Sequence, residues 1–216
     1  MNQILFDNVA TFNEWGIYLS SYSIGDAEPK EHYIDIPSGD GSIDLTESLT
    51  GDVTYSNRDF EATFTIKPPQ KDWLPLLAKI NAFLNGRKRK IRVANEPGYY
   101  LLGRCKTTFE KDGVVAFLTV TASCEPWRYK EQETIYNLTI PSSGQLEVNC
   151  KNSRKRVLPV ITVSDEVTVV FGNKSITMNA GSYKYTNIRF VEGDNKLIIT
   201  GTAGTTIAIE YQEGGL

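Results

Sequence analysis

Apolar residues at every second position dominate the first 130 residues of the chain and predict β-strands there. The clearest run contains Phe60, Ala62, Phe64 and Ile66, with a polar or charged residue between each pair. Because successive side chains of a strand point to opposite faces, we expect one buried and one exposed face.

A second strand is predicted in residues 113–124, where both faces carry apolar side chains. Val115 and Phe117 lie on one face together with two threonines. The other face carries five apolar residues: Val114, Ala116, Leu118, Val120 and Ala122. Such a strand is expected to be covered on both sides.

One segment, residues 71–86, has the periodicity of an amphipathic helix. Asp72 is positioned to accept hydrogen bonds from the first turn, and Asn85-Gly86 is a typical helix end. The apolar stripe consists of Trp73, Leu76, Leu77, Ile80 and Leu84. We therefore expect the helix to pack on the sheet rather than to stand in solvent.

The pattern changes at residues 129–133, a short charged stretch that follows an aromatic-rich one. Eight short strands separated by turn residues come next, and this spacing suggests a β-sandwich. They are predicted at 134–140, 145–149, 158–163, 166–172, 175–179, 185–191, 196–200 and 206–211. The predicted fold class is mainly β: an α+β domain with one packed α-helix in residues 1–131, and a galectin-like or carbohydrate-module-like β-sandwich in residues 132–216.

The composition indicates an ordinary folded protein. Of 216 residues, 40% are hydrophobic and 23% are charged, which is not the balance of a disordered chain. No apolar run is long enough to cross a membrane, and residues 1–16 do not have the pattern of a signal peptide. The widely spaced Cys105, Cys124 and Cys150 favour free core thiols, and a net charge of −3 argues against a dedicated nucleic-acid binder.

Residues that support catalysis are scarce. The only histidine, His32, has no second histidine as a partner, and neither a nucleophile elbow nor a phosphate-binding glycine loop occurs. We therefore interpret His32 as a strand residue rather than as a catalytic base. Residues 38–47 partly resemble a calcium loop, but a turn leading into a strand is the favoured interpretation. We expect no enzymatic activity, no cofactor and no metal site.

Residues 86–93 form the densest run of positive charge. Strand spacing places Arg87 and Arg89 on one face and Lys88 and Lys90 on the other. Three interpretations are open. A solvated strand at a sheet edge is favoured, a surface for an acidic protein comes second, and a nucleic-acid site comes last.

An ordered series of short motifs extends along nearly the whole chain. Residues 33–66 contain Asp35-Ile36-Pro37, Asp40-Gly41, Ile43-Asp44-Leu45-Thr46-Glu47 and Tyr55-Ser56-Asn57-Arg58. After the helix come Pro97-Gly98-Tyr99-Tyr100-Leu101-Leu102-Gly103-Arg104, then Cys124-Glu125-Pro126-Trp127-Arg128-Tyr129, and finally residues 193–216. In this order the motifs resemble the distal tail protein of phages with long, non-contractile tails.

The resemblance implies a structural virion protein. Members of that family form a ring, usually of six copies, whose first domains make the ring while the second domains face outward. The implied partners are further copies of the chain, the major tail tube protein, the tail-associated lysin or hub protein, and receptor-binding or baseplate proteins. DNA passes through the channel only as cargo. Assembly in the bacterial host cytoplasm, residence at the virion tail tip and no membrane insertion are implied.

A closed ring needs one patch that meets a different patch on the next copy. We predict that a sheet edge in residues 52–67 supplies the contact, and that acidic residues of 40–47 pair with the basic run. The residues predicted to form the assembly interface are Asp40, Asp44, Glu47, Tyr55, Asn57, Arg58, Arg87, Lys88, Arg89 and Lys90.

The main alternative is a carbohydrate-binding β-sandwich protein involved in host-surface recognition. The chain contains 11 tyrosines, 9 phenylalanines and 3 tryptophans, yet many of them alternate as core residues. Nothing in the pattern marks an exposed aromatic platform. The predicted C-terminal domain also has no room for the inserted carbohydrate-binding module that some relatives in the resembled family carry. A tail-associated hydrolase is the third and weakest interpretation.

Overall fold

The computed structural model describes residues 3–67 and 69–216. Within these residues the chain forms 19 strands and two helices, which confirms a mainly β fold with one long packed helix. It divides into two compact units, one reaching Arg128 and including Leu216, the other Tyr129–Gly215. The roles predicted for residues 1–131 and 132–216 stay predictions.

The first unit is built on one antiparallel sheet. In chain order its elements are β1 Ile4–Phe6, β2 Val9–Ala10, α1 Thr11–Trp15, β3 Ile17–Ile24, β4 Tyr33–Asp35, β5 Ser42–Asp44, β6 Arg58–Ile66, α2 Gln70–Leu84, β7 Lys88–Val93, β8 Tyr99–Asp112 and β9 Val115–Cys124, with β10 Arg128–Lys130 at the division. The strand order of the sheet is β2-β1-β7-β8-β9-β6-β3, and β4 and β5 pair with each other in a separate hairpin.

Strand β6 has the predicted alternation, and Phe60, Ala62, Phe64 and Ile66 are buried. Strand β9 differs in part from the prediction that both of its faces are covered. Its apolar face is buried from Ala116 onward, but Val114 lies in the preceding turn and is 89% exposed. The opposite face is only half-buried, because threonines share it with two large apolar side chains.

Helix α2 packs on the sheet through the predicted stripe. Trp73, Leu77, Ile80 and Leu84 are buried, while Leu76 is half-buried against the same core. The predicted capping role of Asp72 is wrong, because the helix already begins at Gln70 and Asp72 lies in its first turn. Gly86 has a φ of 74°, the left-handed conformation expected at this helix end.

The second unit contains two four-stranded antiparallel sheets around one hydrophobic cluster. The strands are β11 Thr134–Thr139, β12 Gln145–Asn152, β13 Val160–Val163, β14 Val167–Phe171, β15 Lys174–Met178, β16 Gly181–Tyr183, β17 Gly193–Gly201 and β18 Thr206–Tyr211, followed by the short β19 Gly214–Gly215. The strand orders of the two sheets are β11-β18-β13-β16 and β12-β17-β14-β15.

The strand predicted at 185–191 is wrong. Only an isolated bridge between Val157 and Phe190 occurs there, and the strand that completes the sheet is β16. Ile188 and Phe190 alternate because both anchor an irregular segment in the core, where they are buried. Neither helix in the described part of the chain is long and apolar enough to cross a membrane.

Candidate assembly surfaces

A hairpin projects from the first unit between β3 and β6, and we call residues 26–56 the arm. No residue of the arm is buried, and the structure describes all of them. At its base Pro29 bridges Tyr55, whose ring packs on Trp127 with centroids 5.5 Å apart. The arm is therefore tied down at its root and exposed along its length.

The two faces of the arm differ in chemistry. Ile34 lies opposite Ile43 in the β4–β5 register, and Ile36 follows on the same face. The other face carries Tyr33, opposite Asp44, and Asp35. The three isoleucines are 42% to 52% exposed. Because a lone two-stranded hairpin is marginally stable, an apolar face of this kind favours a partner that covers it.

The arm holds a concentration of negative charge. It contains eight acidic residues and one lysine, whereas the other residues contain 18 acidic and 22 basic ones. The acidic residues are Asp26, Glu28, Glu31, Asp35, Asp40, Asp44, Glu47 and Asp52. The modest net charge of the chain thus conceals a strongly acidic arm on a basic body.

Four of the predicted interface residues lie in the arm: Asp40, Asp44, Glu47 and Tyr55. Asp40 is at its tip and Glu47 in the turn after β5, both exposed. Asp44 accepts a 2.9 Å hydrogen bond from the backbone N–H of Thr46. Hydrogen bonds from Thr46 hold the pKa of Asp44 below its usual value of 3.8, so this carboxylate is charged at neutral pH. The described residues contain no group of three acidic, histidine or cysteine side chains placed to hold a metal.

Tyr55 lies at the root of the arm, and the predicted residues Asn57 and Arg58 follow directly after it. Asn57 donates a 3.2 Å hydrogen bond to Ser123, while Arg58 is only 3% exposed. Burial, and then the positive charge of Arg128, lower the pKa of Arg58. The predicted sheet edge in 52–67 is wrong, because β6 lies between β9 and β3 inside the sheet.

Strand β7 lies between β1 and β8, but β1 pairs only with its second half, from Ile91 to Val93. Among the described residues, Lys88 and Arg89 therefore have no strand neighbour on the β1 side, and the predicted sheet edge is wrong only for the second half of β7. The Arg89 guanidinium bonds Asp7 Oδ2 at 2.8 Å, donates to the Phe83 carbonyl and stacks 3.9 Å from the Phe83 ring. Arg87 donates to the Ala82 carbonyl at 3.1 Å. Internal contacts therefore account for these two arginines.

Lys88 and Lys90 lie on the other face of β7, where β8 adds two more cations. Arg104 is directly opposite Lys88 in the register, and Lys106 follows two residues later on the same face. We call Lys88, Lys90, Arg104 and Lys106 the basic face. Arg104 and Lys106 could not be predicted from the sequence, because neither segment contains a local signal for the pairing of Lys88 with Arg104, 16 residues further along the chain.

The basic face opens onto a shallow groove of about 380 Å³ across β8, β9 and β6. Two rows cross it: Arg104 pairs with Ser123 and then Asp59, and Lys106 pairs with Thr121 and then Glu61. Since adjacent strands lie about 4.8 Å apart, the cations and acids of a row are roughly 10 Å apart. The groove is therefore basic on one side and acidic on the other.

The structure places the histidine on the surface and the three cysteines in the core. His32 is exposed on the arm. Burial raises the pKa of each of the three cysteine thiols to about 12, so they are protonated at neutral pH and weak nucleophiles. All three lie free and buried, as expected from their spacing.

The second unit carries one cavity that bears on carbohydrate binding. A groove of about 400 Å³ lies on the outer face of β11, β18 and β13. Its lining is uncharged and includes Asn137, Thr162 and Ala208, but no aromatic ring. It lacks the aromatic surface on which sugar rings usually stack.

Comparisons with known proteins identify the fold. No family model matches the sequence, and no curated protein matches it. The crystal structure of the SPP1 Dit (gp 19.1) protein, described as a paradigm of the hub adsorption apparatus in phages that infect Gram-positive bacteria, does match. The match covers 100% of both chains with a TM-score of 0.70 and 15% sequence identity. Along its whole length, the chain has the fold of this Dit protein.

Proposed function

We propose that the protein is a structural virion component, a distal tail protein at the hub of a phage adsorption apparatus. The observation that carries the proposal is the full-length match to the SPP1 Dit protein, which includes both units. The ordered sequence motifs support the same role independently, because they were assigned from residues rather than from coordinates.

In this role the chain forms a ring, six copies being the number that the family resemblance implies. A ring needs a heterologous interface, in which a surface of one copy meets a different surface of the next. The arm supplies one such surface. It exposes Ile34, Ile36 and Ile43 and has no buried residue of its own. A neighbouring copy that covers these side chains would stabilise both the arm and the ring.

The ring would connect the major tail tube protein on one side to the tail-associated lysin or hub protein on the other. Receptor-binding or baseplate proteins would attach around it, and DNA would pass through its channel. The protein would work without catalysis. Carbohydrate recognition by residues 129–215 is the weaker alternative, and a glycan array probed with the purified protein distinguishes it.

Replacement of the apolar face of the arm tests the proposal. We expect Ile34→Ser with Ile43→Ser to convert rings into monomers in size-exclusion chromatography with light scattering, because the interface loses apolar area. Ile135→Ser is the matched control, since Ile135 is 51% exposed in the second unit. A wild-type chain that stays monomeric, alone and with its tail tube and hub proteins, would exclude ring formation.

A further inference from the structure

We propose that the basic face receives the acidic face of the arm of a second copy. The inference rests on the proposed ring and names the surface that the arm meets. The basic face comprises Lys88 and Lys90 on β7 and Arg104 and Lys106 on β8.

The first argument is the separation of charge. Within one chain the arm carries eight acids against one lysine, while the basic residues are in excess elsewhere. Such a distribution disfavours contacts between two arms and contacts between the remaining parts of two copies, because like charges then meet. It favours contacts between the arm of one copy and the remaining residues of another. Because both surfaces are present on each copy, the contact can repeat around a ring.

The second argument is that the basic face is open to a partner. The side chain of Lys106 is exposed and makes no ion pair or hydrogen bond with residues 3–67 or 69–216. Arg104 uses Nη1 to bond the Gly86 carbonyl at 2.7 Å and is otherwise exposed. Lys90 lies 4.7 Å from the centre of the Tyr100 ring, and only Lys88 has a carboxylate partner, Glu125.

The third argument is the spacing of the charges. Asp35 and Asp44 are diagonal neighbours on one face of the β4–β5 hairpin, a relation that places them roughly 7 Å apart. Arg104 and Lys106 are two residues apart on one strand, also roughly 7 Å. Two carboxylates of the arm can therefore meet two cations of the basic face in one register.

The groove beside the basic face distinguishes a protein partner from a nucleic acid. Asp59 and Glu61 border it two strands from Arg104 and Lys106, where they would repel a phosphate backbone. The arm carries only a local acidic face and exposes apolar side chains on the other. A receiving surface of mixed charge therefore favours binding of the arm, which is acidic on one face, over binding of a nucleic acid, which is negatively charged along its whole length.

Charge reversal tests the pairing. We expect Arg104→Glu with Lys106→Glu, and separately Asp35→Lys with Asp44→Lys, to raise the protein concentration for half-assembly roughly a hundredfold or more, because like charges then face each other. Mixing the two variants in equal amounts is expected to restore rings with alternating copies, since each arm again faces the opposite charge. Mass photometry measures both effects, and circular dichroism checks the fold of each variant.

The control reverses two exposed lysines of the second unit, Lys174→Glu with Lys184→Glu, and should leave the ring intact. If a reversed variant unfolds, Arg104→Gln with Lys106→Gln is used, and a smaller rise in the half-assembly concentration is expected. Unchanged rings after reversal of Arg104 and Lys106, or no recovery on mixing, would overturn the pairing while leaving the proposed function in place. A wild-type protein that never assembles would refute the proposed function itself.

Discussion

Glu213 is a buried acid of the second unit that binds three hydrogen-bond donors. Its carboxylate accepts hydrogen bonds from Lys130 Nζ at 2.5 Å, Thr134 Oγ1 at 2.6 Å and Ser153 Oγ at 2.5 Å. Burial alone would raise its pKa, but these hydrogen bonds outweigh burial and hold the pKa below the usual 4.5. The residue thereby connects β10, β11 and the segment after β12 to the end of the chain.

A group whose pKa is lowered by folding stabilises the fold above its unfolded pKa and loses that effect as the pH falls. We expect Glu213→Gln to destabilise residues 129–215 at pH 7 by about 2 kcal/mol, because hydrogen bonds to a charged acceptor are lost. The difference from wild type should shrink between about pH 5 and pH 3. Hydrogen exchange of residues 129–215, corrected for its intrinsic pH dependence, measures this difference in the free energy of unfolding.

Glu147→Gln is the control for this substitution. Glu147 pairs with Lys196 at 2.6 Å, but both side chains are more than half exposed. An exposed pair of this kind contributes less than about 1 kcal/mol. A pH-independent deficit in Glu213→Gln would show that the carboxylate charge is not what stabilises this site.

Gly103 and Cys124 form a tight pair across β8 and β9. A Cβ atom at Gly103 would lie 2.4 Å from Cys124 Sγ, a distance that requires the structure to shift. We expect Gly103→Ala to cost about 1–3 kcal/mol. In a chain that already carries Cys124→Ala, Gly103→Ala should lower the free energy of unfolding by less than it does in the wild type, because the sulfur atom that it would contact is absent.

Urea unfolding of the two single variants and the double variant, followed by tryptophan fluorescence, measures these stabilities, since Trp15, Trp73 and Trp127 all lie in the first unit. Strict additivity of the two substitutions would show that Cys124 is not what excludes a side chain at position 103.

At the scale of elements, α2 offers a matched comparison between two leucines of one helix. Leu84 is fully buried and Leu74 is 77% exposed. Leu84→Ala is therefore expected to destabilise the first unit by about 2–5 kcal/mol, and Leu74→Ala by less than about 0.5 kcal/mol. The same fluorescence assay compares them, and equal effects would contradict the packing of α2 on the sheet.

Local periodicity was sufficient to predict β6, the buried face of β9 and the stripe of α2, because each signal lies within one segment. It was insufficient for α1, whose five residues span little more than one turn. The segment 185–191 has the alternation of a strand although only its two core anchors create it. Periodicity reports burial, and burial has causes other than strand pairing.

The arm shows a second limit of local periodicity, because its strand pattern belongs to side chains that are exposed. Ile34, Ile36 and Ile43 have strand spacing, but the pattern does not say whether their own chain or another covers them. A local pattern does not show strand order either, so it does not predict that β1 covers the second half of β7. The acidic residues of the candidate interface and its two lysines on β7 are therefore predictable from the sequence, whereas Arg104 and Lys106 require the pairing of β7 with β8.

At the scale of the whole molecule, the chain combines the full-length Dit fold with an exposed, acidic, partly apolar arm. Neither feature alone defines a ring. In the proposed ring, the arm is the surface that inserts and the basic face is the different surface that receives it, as closed heterologous assembly requires.

Electron microscopy of the purified wild-type protein tests this account most directly. Two-dimensional class averages should show closed rings with a central hole and six-fold symmetry, and a particle mass about six times the 24.1 kDa of one chain. Dimers with a single two-fold axis, in which the same surface of both copies forms the contact, would contradict the account if they replaced rings in the wild-type protein.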